Sequence, residues 1–416
     1  MNRTSTSSRT RTSSRTATPT RTRNSGWSNR IHRPLAAVTL GIGAFGSLMA
    51  FSAGRGPTGD LSFGIRQVIF FVVGSLAMLV VAVVDYRRLQ RWYPLLLSVA
   101  VAALALVLTP VGTEVRGTQG WFQFGGLALQ PSEFAKLTLI VGLAVILQGA
   151  PRARTLPGVL RQDWQPSTSS ADREKSQPAT SRFALSVGLL GIMSALVLAQ
   201  GESGTVLVYC AIALGMMTVA GIEARYLVLL TASGVIVIGL ALSSGMLAEY
   251  QVDRFEAFLD ADLDPQGIGY NQQQALTAIG SGGLLGAGLF DGPQTQLGYL
   301  PDQHTDFIFA AVAEELGFVG ALAVLILEAG VLASIFVVGL ESRDRFAQLL
   351  CAGVFSFLAF QVFQNVAMNL RMMPITGISL PFVSYGGSSL VTSLLAVGLV
   401  QSVAVNRGSD HRLRPT

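Results

Sequence analysis

The segment LPDQHTDFIFAAVAEELGF, residues 300–318, sets His304, Thr305 and Asp306 directly ahead of a long apolar run. A Thr before such a run suits a helix N-cap, which would leave Asp306 in the first turn, where the helix dipole favours a carboxylate. That placement has two uses. It is a stable helix start, or it holds a carboxylate general base at a membrane–water boundary beside His304. His-x-Asp alone is a poor metal site, because two ligands leave most coordination positions open. Glu314 and Glu315 follow eight and nine residues later, about 12 to 14 Å deeper along a helix. At roughly 100° per residue, Glu314 stays near the face of Asp306 while Glu315 turns away. Carboxylates inside a span are candidates for function, and pairing within the bundle is the alternative.

A second constellation lies in RGTQGWFQFGGLALQPSEFAK, residues 116–136. Pro131 suits the first position of a helix. Glu133 and Lys136 then stand three apart on one face, close enough to pair. They are an ion pair holding the bundle, or Lys136 is a buried cation for an anionic group such as a phosphate. Trp121, just upstream, is an interfacial anchor or a platform for stacking a sugar. Two other motifs fail. DADLDPQGIGYN, residues 260–271, lacks the Gly and the final Glu of a calcium loop, having Pro265 and Asn271 there. The glycines of AIGSGGLLGAG follow no strand, which excludes a dinucleotide fingerprint and leaves tight turns and close backbone approach. In NLRMMPITGISLPFVSYGGSSL, residues 369–390, Pro374, Pro381, Gly386 and Gly387 break the backbone at the start of an apolar run. Such breaks are tolerated at membrane depth where they line a cavity or are buried in protein.

The elements that must position these groups are membrane spans. Half of the 416 residues are hydrophobic, 13% are charged and mean hydropathy is +0.51, a composition that excludes an ordinary soluble domain. Ten apolar runs predict ten transmembrane helices: 35–53, 66–85, 92–111, 132–149, 183–200, 203–221, 225–248, 307–340, 346–370 and 376–404. The eighth is over-long, so its first turns are expected to sit in protein rather than lipid. The fold class is an all-α integral membrane protein with a large extracytoplasmic loop, 249–306, between spans seven and eight. That loop holds nine acids and one arginine, Arg254. Counting alternate loops, 23 of the 29 Lys and Arg fall on the side of the termini, which predicts both termini in the cytoplasm. The basic balance is thereby accounted for by topology and contact with anionic membrane lipids, with no nucleic-acid partner. Residues 1–34 read as a disordered Ser/Thr/Arg-rich tail, 35–405 as one membrane domain with a polar cytoplasmic loop at 151–182, and 406–416 as a cytoplasmic tail. Cys210 and Cys351 lie in apolar runs and read as core thiols.

QPSEFAK (130–136), GIGYNQQQALTAIGSGGLLGAG (267–288), LPDQHTDFIFAAVAEELGFVG (300–320) and PITGISLPFVSYGGSS (374–389) together resemble the SEDS family (shape, elongation, division and sporulation) of bacterial cell-wall proteins. The resemblance runs from about residue 35 to 405. FLDADLDPQGIGY and GPQTQLGYLP resemble its RodA branch more than its FtsW branch. It implies a peptidoglycan glycosyltransferase of the inner membrane that polymerises lipid II into glycan strands beside a class B penicillin-binding protein. By position it implies Asp306 as the catalytic carboxylate, with Trp121, Glu133, Lys136 and Arg254 in support. His304 and Glu314 join them as supporting candidates, and a divalent cation, magnesium or manganese, is a candidate companion to the leaving pyrophosphate. The chain departs from the family pattern twice. Gly120 stands where an Arg often precedes the Trp, and Glu202 stands for the Asp of a Pro-Asp-x-Gly-Thr pattern. The readings from other classes are a lipid II translocator with a polar path through Glu314, Glu133 and Lys136, and a scaffold for a transpeptidase.

Overall fold

The computed structural model describes residues 31–55, 62–115, 117–124, 127–149, 179–243, 258 and 268–406. Arg254, the acidic run 260–264, both tails and most of the 151–182 loop lie outside them. Helices α1 (Arg33–Arg55), α2 (Ser62–Val83) and α3 (Arg87–Leu106) come first. Strands β1 (Thr113–Val115), β2 (Thr118–Phe124) and β3 (Leu127–Leu129) follow, then α4 (Pro131–Leu147), α5 (Ala179–Ala199), α6 (Ser203–Ala220) and α7 (Ala224–Ser243). The remainder is α8 (Ile268–Ser281), the short α9 (Pro293–Gln296), α10 (Ile308–Glu341), α11 (Arg345–Asn369) and α12 (Gly387–Asn406). Among the described residues, eight helices are long and apolar enough to cross a bilayer: α1, α2, α3, α5, α6, α10, α11 and α12. Helices α4 and α7 occupy the places of expected spans four and seven, with shorter apolar stretches.

Three expectations are corrected. The chain is not all-α: β1, β2 and β3 form a small antiparallel sheet in that order, with Thr113 opposite Trp121 and Phe122 opposite Leu129. Alternation in TQGWFQF, rich in β-formers, is its physical origin. The 249–306 stretch is not all loop, since α8 and α9 fall within it. The last span begins at Gly387 rather than 376, because Pro374 and Pro381 keep the preceding backbone out of helix.

Close helix packing fixes the frame. Gly74 of α2 receives Leu394 of α12, and Gly398 of α12 lies against Met78 of α2, the small-residue contact by which membrane helices approach one another. Helix α6 ends at Gly221, whose φ of 84° only glycine takes readily. Helix α10 behaves as its length suggested. Residues 308–315 are buried on every face, whereas farther along the buried positions narrow to a stripe of Ala321, Val324, Glu328, Val331, Ile335 and Val338.

Between these two parts the helix breaks at Gly317, at φ 67° and ψ −168°. The glycine-rich segment 283–288 fills the break. Phe318 N donates to Gly283 O (2.9 Å) and Val319 N to Leu284 O (3.2 Å), while Ala287 N donates to Glu314 O (2.9 Å) and Gly288 N to Glu315 O (3.0 Å). Both partners need glycine. A Cβ on Gly317 would stand 2.5 Å from Leu284 O, and one on Gly286 would run into Glu315 O. Gly317→Ala is therefore expected to destabilise the protein by about 1–3 kcal/mol, read as a fall in thermal midpoint in detergent. Gly188→Ala, at a position with open space around it, is the control and leaves the midpoint near wild type.

Candidate functional site

Residues 301–307 form turns ahead of α10, with Asp302 at φ 52°. Thr305 does not cap the helix, contrary to expectation. The flanking residue is Phe307, no side chain of its own caps the helix, and Asp306 lies before the first turn rather than in it. The cap comes from another helix. Asn369 Oδ1, at the end of α11, accepts from Ala310 N at 3.2 Å, satisfying one of the first four amides of α10. Asn369 Nδ2 also donates to the main-chain carbonyl of Asp306 (3.1 Å), as does Asn365 Nδ2 (3.0 Å). Both asparagines are fully buried. The backbone of Asp306 is thus clamped from α11, and its half-buried carboxylate faces Gly377, where a Cβ would lie 3.7 Å from Oδ2. The signal for Asn365 and Asn369 in the sequence is two Asn four residues apart in an apolar run, which sets both on one helix face.

His304 is held by packing. Its ring lies 4.5 Å from that of Phe63 and 5.7 Å from that of Tyr385, and its carbonyl accepts from Tyr385 N at 2.8 Å. Ser384 Oγ donates to Thr305 O at 2.7 Å, and Gln67 Nε2 donates to Ser384 O at 3.0 Å. The broken segment 374–387 therefore straps the 301–307 turn. Among the described residues, two of the four non-glycine residues with positive φ, Asp302 and Phe382, sit in these two segments, and a third, Arg371, lies three residues before Pro374. Strained backbone of this kind persists where the surroundings over-determine it, and it clusters at functional sites.

The second cluster is reached through the same segment. Thr376 accepts from Gln364 Nε2 through its hydroxyl at 3.1 Å, and its carbonyl abuts Gly204 of α6. Ser388 Oγ accepts from Gln130 N at 3.0 Å, at the start of α4. There Pro131 occupies the first turn as expected, and Lys136 Nζ meets Glu133 Oε1 at 2.5 Å. Lys136 is 1% exposed and lies 5.2 Å from the ring centre of Phe357. Glu133 Oε2 has no hydrogen-bond partner. Beside them Glu202, 8% exposed, accepts from Gln130 Nε2 (2.7 Å), Ser132 Oγ (2.6 Å) and Thr205 Oγ1 (3.1 Å). Burial pushes the Glu202 carboxyl up from its ordinary range, against the hydrogen bonds from Ser132 and Gln130 and with help from the charge of Glu133. Trp121, on β2, is half-buried and follows Gly120, which faces Glu202.

Glu314 is drawn elsewhere. It is fully buried and accepts from Gln294 N (2.6 Å), Thr295 N (2.9 Å) and Thr295 Oγ1 (2.5 Å), so it caps α9. Its neighbour Glu315 accepts from Ser52 Oγ of α1 at 2.7 Å and from Gln296 Nε2 at 3.0 Å. These acids tie α9 to α1 and α10. Glu328, not singled out from the sequence, is 1% exposed within the α10 stripe, with neither carboxylate oxygen partnered.

A polytopic helical membrane protein is thus defined, with a clamped carboxylate at a helix entrance and a buried charge cluster joined to it by one broken segment. The chain belongs to the cell cycle protein family of FtsW, RodA and SpoVE, the SEDS family, whose model matches residues 32–409. Stage V sporulation protein E of Bacillus subtilis is 33% identical over 378 residues, covering 89% of this chain and 96% of its own. A probable peptidoglycan glycosyltransferase FtsW of Halomonas elongata is 36% identical over 393 residues, 91% of each. Among solved structures, a chain of a peptidoglycan synthase complex that coordinates polymerization and crosslinking matches with a TM-score of 0.72 at 30% identity, covering 91% of this chain and 99% of that one. Rod shape determining protein RodA of Thermus thermophilus matches with a TM-score of 0.62 at 29% identity, covering 91% and 98%.

Two outcomes test the buried cluster. Lys136→Met leaves the Glu133 carboxylate without its counter-ion and is expected to cost about 3–5 kcal/mol, measured by denaturant unfolding in mixed micelles. Adding Glu133→Gln recovers most of that loss. Glu202 predicts a pH dependence. With its carboxyl raised in the native protein, the folded state keeps a proton that the unfolded chain releases. Stability is therefore fullest below the ordinary carboxylate range and falls as pH rises toward the raised value. Thermal midpoints taken from about pH 4 to pH 7 fall for wild type and fall less for Glu202→Gln.

Proposed function

We propose that the protein is a peptidoglycan glycosyltransferase that polymerises lipid II into glycan strands, with Asp306 as general base. The carrying observation is the seat of Asp306. Two buried asparagines fix its main chain at the entrance of α10, so the point from which its side chain leaves is set by backbone. A base of this kind must be placed within hydrogen-bond reach of the proton it takes. Here that proton is on the GlcNAc 4-hydroxyl of an acceptor lipid II. The freed oxygen attacks the MurNAc anomeric carbon of a donor, with inversion, and undecaprenyl pyrophosphate leaves. The leaving group gathers negative charge that a cation must meet. Arg254 is the candidate, because Lys136 is already bound to Glu133 and acts as internal support.

The topology that serves this chemistry has ten spans, both termini in the cytoplasm and residues 249–306 outside. The described part of α7 is exposed at Val228, Leu229, Val235 and Ile236, which leaves apolar surface along it for a lipid tail. Among the described residues no three His, Cys, Asp or Glu are grouped to hold a metal ion. A magnesium or manganese ion would bind chiefly through the pyrophosphate oxygens, the usual mode of magnesium. A class B penicillin-binding protein is the partner, and the loop sequences cited above favour elongation over division. A translocator path is less well supported, since Glu314 is held by α9 and Lys136 is bound to Glu133.

The test is strand synthesis from labelled lipid II by purified protein with its partner, the partner's transpeptidase inactivated. Asp306→Asn is expected to lower the rate about 10²- to 10⁴-fold while leaving the protein folded. Wild-type rates from the Asn variant remove Asp306 as base. Strand formation lost even in wild type, with lipid II moving across liposomes, supports the translocator instead.

A further inference from the structure

Two residues meet beside the charge cluster of α4 and α6. Gly120 on β2 and Glu202 at the start of α6 are far apart in sequence, yet a Cβ on Gly120 would run into Glu202 Oε1 and stand 3.1 Å from Glu202 Cδ. Gly120 is not required by conformation. Gly117, in the turn before it, takes a φ of 78°, whereas Gly120 is absent from the left-handed glycines. The glycine at 120 is required by space, and the space is filled by the longer acid.

Glu202 is more than a filler. Its position is fixed by the α5–α6 turn, where Gly201 has a φ of 85° and Glu202 N donates to Val197 O at 3.2 Å. From there its carboxylate reaches three places. Oε1 takes Gln130 Nε2, just ahead of α4; Oε2 takes Ser132 Oγ, inside the first turn of α4, and Thr205 Oγ1 of its own helix. Tyr209 OH donates to Ser132 O at 3.0 Å and holds the same turn from α6. Glu133 is the next residue along. On the sheet side, Gln119 N donates to Gln200 O at 3.0 Å, so β2 is tied to the α5–α6 turn by main chain immediately before Gly120. Trp121 follows Gly120 directly.

We propose that Glu202 is a positioning residue for the reaction, that Gly120 and Glu202 form one packing unit, and that this unit sets Trp121 and the Glu133–Lys136 pair relative to each other. This rests on the glycosyltransferase reading above. Shortening Glu202 to Asp withdraws the carboxylate by one bond, about 1.5 Å, too far to keep Gln130 and Ser132 together, and it opens a void beside Gly120. An Ala at 120 overfills the wild-type gap and suits the shortened acid. Each change alone disturbs the unit, and the two together restore it.

Four proteins decide the matter: wild type, Glu202→Asp, Gly120→Ala and the double variant, each with the inactivated-transpeptidase partner and labelled lipid II. Initial rates give kcat/KM, and thermal midpoints are taken on the same samples. Each single variant is expected to lose roughly tenfold in kcat/KM, with the double returning to within about threefold of wild type, the non-additivity of residues in contact. Midpoints that stay alike in all four proteins while kcat/KM falls and returns separate positioning from a restored fold. The proposal is overturned if Glu202→Asp keeps the wild-type rate, or if the double loses the product of the single losses. Should wild type itself form no strands, the glycosyltransferase reading falls. The midpoints of the four proteins then still decide whether Gly120 and Glu202 act as one unit.

Discussion

A backbone amide or carbonyl inside a bilayer has no water to turn to, and the structure is organised around that constraint. Helix α10 is broken at Gly317, which takes main-chain groups of that turn away from their helical partners. The segment 283–288 meets them with four main-chain hydrogen bonds, two in each direction. Because the match is backbone to backbone, it needs close approach, and glycine at 286 and 317 allows it. Glu314 and Glu315, at the edge of the break, then satisfy the start of α9 and the hydroxyl of Ser52. One break therefore ties together segment 283–296, α1 and α10.

The same logic places Asp306. An entrance to a helix exposes amides, and here the partner for one of them is a side chain of α11 rather than a local cap. The amide group of Asn369 serves both α10 and the carbonyl of Asp306, so the seat of the acid is an interhelical joint. The segment 374–388 lies between this joint and the charge cluster of α4 and α6, touching Asp306 at Gly377, His304 at Tyr385 and Gln130 at Ser388. One irregular segment thereby fixes the two clusters relative to each other.

Much of this was legible in the sequence, for identifiable reasons. Helices with strong apolar runs, the buried start of the over-long span, the Pro131 helix start and the Glu133–Lys136 pair all follow from local spacing and hydropathy, and they appear where expected. The Thr305 cap did not, because a cap chosen by tertiary contact leaves no local trace. Helices α8 and α9 were hidden inside a stretch read as loop, where polarity and glycine outweighed a short helical pattern. The contact between Gly120 and Glu202 was visible as two separate oddities of sequence, and the fold was needed to make them one.

Glu328 has a consequence for how the protein is made. A carboxylate near the middle of an inserting helix opposes its entry by about 2.5–3.5 kcal/mol, while each Leu, Ile, Phe or Val favours entry by about 0.3–0.6 kcal/mol. Among the described helices long enough to cross a bilayer, α10 holds the most apolar stretch, which offsets the acid on entry. The side chain then ends at 1% exposure, away from lipid, which means later assembly of the bundle removes a burden that insertion alone had to bear. The excess of apolar residues in this span is thus matched to biogenesis as much as to the finished packing.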